Sequence, residues 1–253
     1  MKISSIAAFS DNYIWCIESG TQAWVVDPGC AESVATYLEE NDLDLAGILI
    51  THHHADHTGG IGQLMQNREI PIIGPANCQN KGVNQVINDG QTIEVFGVEF
   101  ECLAIPGHTL DHIAFYSASQ AILFCGDTLF AGGCGRIFEG NPAMMWQSLN
   151  RLCVLPEDTK VFCAHEYTTA NLVFAAAVDG NNPDLIHRIS DVANLRQQNI
   201  PTVPTTIGLE LRTNPFLRAP KPELKNAAEM ASQRQLSEVV DVFTELRAYK
   251  DRF

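Results

Sequence analysis

The sequence predicts an α/β fold, with a strand-rich α/β sandwich over residues 1–167 and a small helical domain over 168–253. Three observations carry this reading. The first 130 or so residues are short β-rich runs broken by turn residues, and helical periodicity takes over after Tyr167. No repeat, low-complexity tract or span of about 18 to 20 apolar residues competes with a globular protein.

Taken in order, YIWCIE (13–18) and QAWVVD (22–27) read as strands, the second stopped by Asp27-Pro28-Gly29. Ala31 to Asn41 reads as a helix, and Leu45 to Thr51 as a strand buried on both faces. A histidine cluster follows directly, so it lies where a strand gives way to a loop. A second helix is expected over Gly60 to Asn67. Thr92 to Ile105 reads as a hairpin turning at Gly97, followed by strands HIAFYS and AILFCGD. Met144 to Cys153 reads as a helix and KVFCAH as a last strand ending at His165. Beyond Tyr167, helices are expected over Ala170–Val178, Pro183–Gln198 and Gln233–Lys250, separated by the Pro-rich segments IPTVPTTIG and NPFLRAPKP.

A formal net charge of −14 argues against nucleic acid as a partner, because phosphate binding needs a basic surface. The charge is uneven. The first 204 residues hold 8 Lys/Arg and 23 Asp/Glu, whereas the last 49 hold 8 and 7. A solvated helix surface is the plain explanation of that basic tail. The N-terminus lacks the apolar core of a signal peptide, and the eight cysteines form no CxxC pair. The expectation is a soluble, cytoplasmic, monomeric protein with reduced thiols and neither a membrane nor a nucleic-acid partner.

Thr51-His52-His53-His54-Ala55-Asp56-His57 contains His-x-His-x-Asp-His. At a strand end His52 and His54 point to one side and can chelate an ion, while the following loop can turn Asp56 and His57 toward a second. Other strand or loop ends supply His108 in PGHT, Asp127 in CGDT, His165 in CAHEY and a further candidate, Asp27 in VDPG. The natural division puts His52, His54 and His108 on one ion and Asp56, His57 and His165 on the other, with Asp127 bridging. Any one of the later residues alone would be an ordinary turn or capping side chain. Four ligand-type residues within six positions are a metal signature. His53, His112 and His187 are read as structural or solvated.

These motifs, in this order, resemble the metallo-β-lactamase superfamily, whose fold is an αββα sandwich with metals at one edge. DNYIW, CGRIFEG at Cys134–Gly140, HEYT at His165–Thr168, TNPFLR at Thr213–Arg218 and the closing RAYKDRF narrow it further. Together they are similar to the glyoxalase II (hydroxyacylglutathione hydrolase) family over essentially the whole chain. The resemblance implies hydrolysis of S-(2-hydroxyacyl)glutathione, typically S-D-lactoylglutathione, to glutathione and D-lactate, the second step of methylglyoxal detoxification. It implies a glutathione-binding helical domain, with Arg136, Tyr167, Arg247 and Lys250 holding the peptide. Phe138 stands where many members have Tyr, which removes a hydroxyl worth about 0.5–1.5 kcal/mol if it bonded substrate.

Two divalent ions are expected, zinc first, with iron or manganese accepted by the same ligands. The expected nucleophile is a hydroxide bridging them, oriented by Asp56. A thiolate leaving group, with a pKa of about 8.5, departs without a strong acid, so the lack of an evident general acid suits a thioester. The alternatives are a glutathione persulfide dioxygenase with a single iron, another hydrolase of the same fold, or a non-enzymatic metal-binding protein.

Overall fold

A computed structural model describes every residue except Asn67. The chain divides into two compact units, one of Met1–Ala104 with Asp111–Gly126 and one of Ile105–Leu110 with Asp127–Phe253.

In the first unit β1 (Lys2–Ala8), β2 (Asn12–Ser19) and β3 (Gln22–Val26) form an antiparallel meander. Helix α1 (Ala31–Glu40) then crosses to β4 (Asp44–Leu49), which runs parallel to β3. The short helices α2 (Ala55–Thr58) and α3 (Ile61–Leu64) and a 3₁₀ turn at Ala76–Lys81 accompany the parallel additions β5 (Ile72–Gly74) and β6 (Gln85–Val86). Alternate residues Ala23 and Val25 of β3 pack with Ile48 of β4 against Val34 and Leu38 of α1. Trp24 and Val26 on the opposite face are buried too, which is why these runs read as continuously apolar. Each fully buried Val, Leu or Ile contributes roughly 1.5–3 kcal/mol.

A second sheet of this unit pairs β7 (Thr92–Val95), β8 (Val98–Ala104), β9 (Ile113–Ser117) and β10 (Ile122–Gly126) antiparallel in sequence order. The β7–β8 turn uses Phe96 and Gly97 at φ 52° and 77°. Those values match the left-handed pair a tight hairpin requires.

In the second unit β11 (Leu129–Phe130) and β12 (Gly133–Cys134) make a short hairpin. Helix α4 (Pro142–Cys153) and β13 (Lys160–Cys163) lead to α5 (Thr168–Asp179) and α6 (Pro183–Gln197). Strand β14 (Thr205–Thr206) pairs with β13, and α7 (Ile207–Thr213), α8 (Pro222–Ser232) and α9 (Val239–Arg252) complete the chain. Asn141 and Asn182 cap α4 and α6, each followed by a proline at the first helical position, where its missing N–H is no loss. Leu172 and Ala175 of α5 pack on Leu185 and Val192 of α6. Phe216 and Phe243 lie 5.9 Å apart, and Trp146 of α4 reaches Phe243 at 5.7 Å.

One strand goes unforeseen and three expectations need correction. The polar, half-exposed KISSIAA is a strand, because its edge position leaves only Ile6 and Ala8 to bury. Residues 55–58 form a helical turn rather than a loop. The second helix is limited to Ile61–Leu64, and Asn67 lies outside the described residues. The Pro-rich stretch holds α7 and leads into α8, while the last helix begins at Val239, not Gln233.

Candidate active site

In the first unit β3 and β4 are parallel neighbours, so their C-terminal ends open at the same edge. Asp27 follows β3 in a left-handed conformation (φ 54°) that aspartate tolerates. Its carboxylate accepts from Thr51 N at 2.8 Å and from Thr51 Oγ1 at 2.7 Å, and meets His57 Nδ1 at 3.0 Å. Asp27, named above as a possible ligand, therefore braces the histidine cluster from behind. Its bond to His57 puts the proton on Nδ1 and leaves Nε2 as the lone-pair nitrogen of the neutral ring.

The same logic fixes His52. The Thr51 hydroxyl spends its proton on Asp27, so its oxygen accepts from His52 Nδ1 at 3.0 Å. The His52 ring lies 4.7 Å from that of His54 and 4.1 Å from that of His57, centroid to centroid. Asp56 Oδ2 accepts from Asn12 Nδ2 at 3.0 Å and lies 3.4 Å from His57 Nε2. Asn12, in the DNYIW motif, had no assigned role in the sequence reading. His53 turns elsewhere, to Asp111 at 2.9 Å. His112 is buried and stacks on His52 at 4.5 Å, and His187 is exposed beside Asp191.

In the second unit Asp127 stands between two imidazoles, with His108 Nε2 3.5 Å from one carboxylate oxygen and His165 Nε2 3.3 Å from the other. All three are buried. His108 Nδ1 donates to the carbonyl of Arg136 at 2.8 Å, so its Nε2 is again the lone-pair nitrogen. These tautomers and this mixture of imidazole and carboxylate donors fit divalent metal ions. Buried ring nitrogens backed by oxygens, as at His52, His57 and His108, are what such an ion needs.

A cavity of about 390 Å³ opens beside these three residues, lined further by Phe130, Cys134, Arg136, Phe138, Tyr167, Asn171, Arg247 and Lys250. That volume lies within the range of small-molecule sites. Tyr167 stacks flat on His165, 4.6 Å between centroids. Phe138 is exposed at the lip, edge-on to His108 at 5.2 Å. Arg247 is buried, donating to Cys134 O and to Asp251, both at 2.9 Å, and its Nε meets no acceptor among the described residues. Lys250 Nζ donates to Ala170 O at 3.2 Å. Partial burial and then the neighbouring Arg247 and Arg136 hold its pKa below the usual lysine value. Burial pushes the Cys134 thiol up to about 11, so no thiolate is ready to act as nucleophile there.

Residues 9–165 match the metallo-beta-lactamase superfamily, which gives the class of fold. Residues 166–253 match the hydroxyacylglutathione hydrolase C-terminus. The chain is 49% identical, over all of both chains, to a hydroxyacylglutathione hydrolase of Pseudoalteromonas translucida. Among solved structures it resembles ETHE1 from Myxococcus xanthus at 26% identity and a TM-score of 0.65, covering 99% of this chain and 98% of that one. It also resembles TTHA1623 in a di-iron-bound form at 25% identity and a TM-score of 0.60, over 86% of this chain and all of the other. The chain belongs to the hydroxyacylglutathione hydrolase family. It is a metal-dependent thioester hydrolase built on the metallo-β-lactamase fold, and divalent metal ions are its cofactors. Among the described residues no helix is long and apolar enough to cross a membrane.

Proposed function

We propose that the chain hydrolyses S-D-lactoylglutathione with two divalent ions, zinc in the first instance, held by His52, His54, Asp56, His57, His108, Asp127 and His165. The observation that carries this is the pairing of a metal-type donor set with an adjoining cationic pocket, His108 and Asp127 lining the same cavity as Arg136, Arg247 and Lys250. Ions bound there supply a water of lowered pKa and a Lewis acid for the thioester carbonyl.

The side chains do the rest. Asp56, steadied by Asn12, accepts a hydrogen bond from the attacking water and aims it. Arg247 and Lys250 take the glutathione carboxylates, and the unsatisfied Nε–H of Arg247 supports that role. Tyr167 donates to the peptide and Arg136 guards the rim. Phe138 offers only a ring face, where a tyrosine would add a donor. The departing thiolate needs no strong acid. The fixed cations hold charges that hardly change along the reaction, so they bind substrate and transition state alike.

The functional boundary lies near residue 167, metal ligands before it and the peptide-binding helices after it. A cytoplasmic monomer acting on a soluble thioester, with no nucleic-acid or membrane partner, suits the charge of −14. The test is hydrolysis of S-D-lactoylglutathione by protein of measured metal content. Turnover that follows metal supports the reading, and metal-replete protein without thioesterase activity overturns it.

A further inference from the structure

The TNPFLR motif and the FAGGCG stretch have no part in the chemistry above, yet they meet. The β11–β12 hairpin turns through Ala131 and Gly132, the latter at φ 70°, a left-handed position that favours glycine. Consecutive backbone groups of this turn are taken by side chains from the helices. Asn214 Nδ2 donates to Phe130 O at 3.2 Å and to Gly133 O at 2.9 Å. Asn171 Nδ2 donates to Ala131 O at 3.1 Å, and Gly132 N donates to Glu210 Oε2 at 2.8 Å. Arg247 takes Cys134 O.

Asn214 and Glu210 are themselves locked. Both are fully buried, and Asn214 Nδ2 also donates to Glu210 Oε2 at 2.9 Å. The other Glu210 oxygen accepts from Arg188 and, at 2.6 Å, from Thr205 Oγ1. Asn214 Oδ1 accepts from Phe216 N at 3.0 Å. A buried carboxylate satisfied by four donors, one of them a buried guanidinium, is a rigid anchor.

What the anchor holds is pocket wall. Phe130 meets the Tyr167 ring edge-on at 5.3 Å and the His165 ring at 5.8 Å. We infer that Asn214, backed by Glu210 and Arg188, is a positioning residue for the thioester pocket, setting where Phe130 and Cys134 stand. Alanine at 214 leaves the Phe130 and Gly133 carbonyls without their donor and frees the turn to shift. A wall displaced from the glutathione moiety loses part of the binding it provides equally in ground and transition states, so the effect falls on KM. The inference rests on the proposed seat of the glutathione moiety in this cavity.

The experiment compares Asn214→Ala with the unaltered enzyme on S-D-lactoylglutathione and on a small neutral thioester, with metal content measured alongside. The expected result is a KM for the glutathione thioester raised about tenfold, with metal retained and the neutral thioester turned over within about twofold of normal. A merely structural role lowers both activities together through the folded fraction, and that parallel loss overturns the inference. An unchanged KM ratio overturns it too. Should Asn214→Ala not accumulate as folded protein, Gly133→Ala carries the test, since a Cβ there meets Asn171 Nδ2 at 2.5 Å and pushes the same turn. An Arg247→Ala/Lys250→Ala double variant is the control. If that control leaves KM unchanged, the pocket reading has failed; if it raises KM and the Asn214 and Gly133 variants do not, only this inference has.

Discussion

Replacing Lys250 by alanine removes a half-buried cation from the cavity while disturbing little else. Its ammonium donates to one carbonyl, Ala170 O, and lies 5.3 Å from the Phe174 ring centroid. Losing these surface contacts costs about 0.5–1 kcal/mol of stability. A charge-assisted bond to a substrate carboxylate in a half-open pocket, discounted for solvent screening, is worth about 1.4 kcal/mol, or a factor of about ten in KM. Because that bond is made equally in ground and transition states, kcat holds within about twofold. Arg247→Ala behaves differently. It raises KM as well, but strands the Cys134 carbonyl, so the melting temperature falls with it. The assay is steady-state hydrolysis of S-D-lactoylglutathione beside a neutral acyl thioester, at low and high salt. Salt should weaken binding in the parent and do so less in the Lys250 variant, since the Debye length shrinks from about 10 Å at 0.1 M to about 3 Å at 1 M. An unchanged KM for the glutathione thioester in Lys250→Ala means that Lys250 holds no substrate carboxylate and returns the basic tail to a solvated helix.

Asp127→Ala should lose much of its metal and nearly all turnover, by elemental analysis and assay, because one carboxylate flanked by two histidines is removed. His53→Asn should keep its metal, since that ring is turned to Asp111. Asp27→Asn should weaken metal affinity about 10- to 100-fold in a competition titration, having lost the carboxylate that orients His57. Phe138→Tyr should lower KM for the glutathione thioester by up to about tenfold if its hydroxyl reaches the peptide, and leave kcat alone.

The candidate metal ligands are legible because local spacing and strand ends carry them. His-x-His-x-Asp-His directly after an apolar run needs no knowledge of distant contacts. Arg247 and Lys250, three residues apart on one helix, were legible as a shared face, and both line the same cavity. Resemblance, not periodicity, gave them a ligand.

What escaped was held by tertiary contacts. Asp27 in VDPG reads as a further ligand candidate, and only its approach to Thr51 and His57 reveals a bracing carboxylate. Asn12 lies in DNYIW, a motif that points to a family but to no role, and Asn171 is a single amide with no pattern around it. Helices α7 and α8 were hidden by prolines that read as breakers, although Pro222 occupies the first turn, where the ring is welcome. Strand β1 was hidden by its polar exposed face.

The proposed reaction, hydrolysis of a glutathione thioester with the help of two divalent ions, stands or falls on metal. It is tested most directly by stripping the protein with a chelator and titrating zinc back while following S-D-lactoylglutathione hydrolysis. Turnover should be negligible without metal and rise to a plateau at two ions per chain. Full turnover by the stripped protein contradicts the proposal, as does a plateau at one ion.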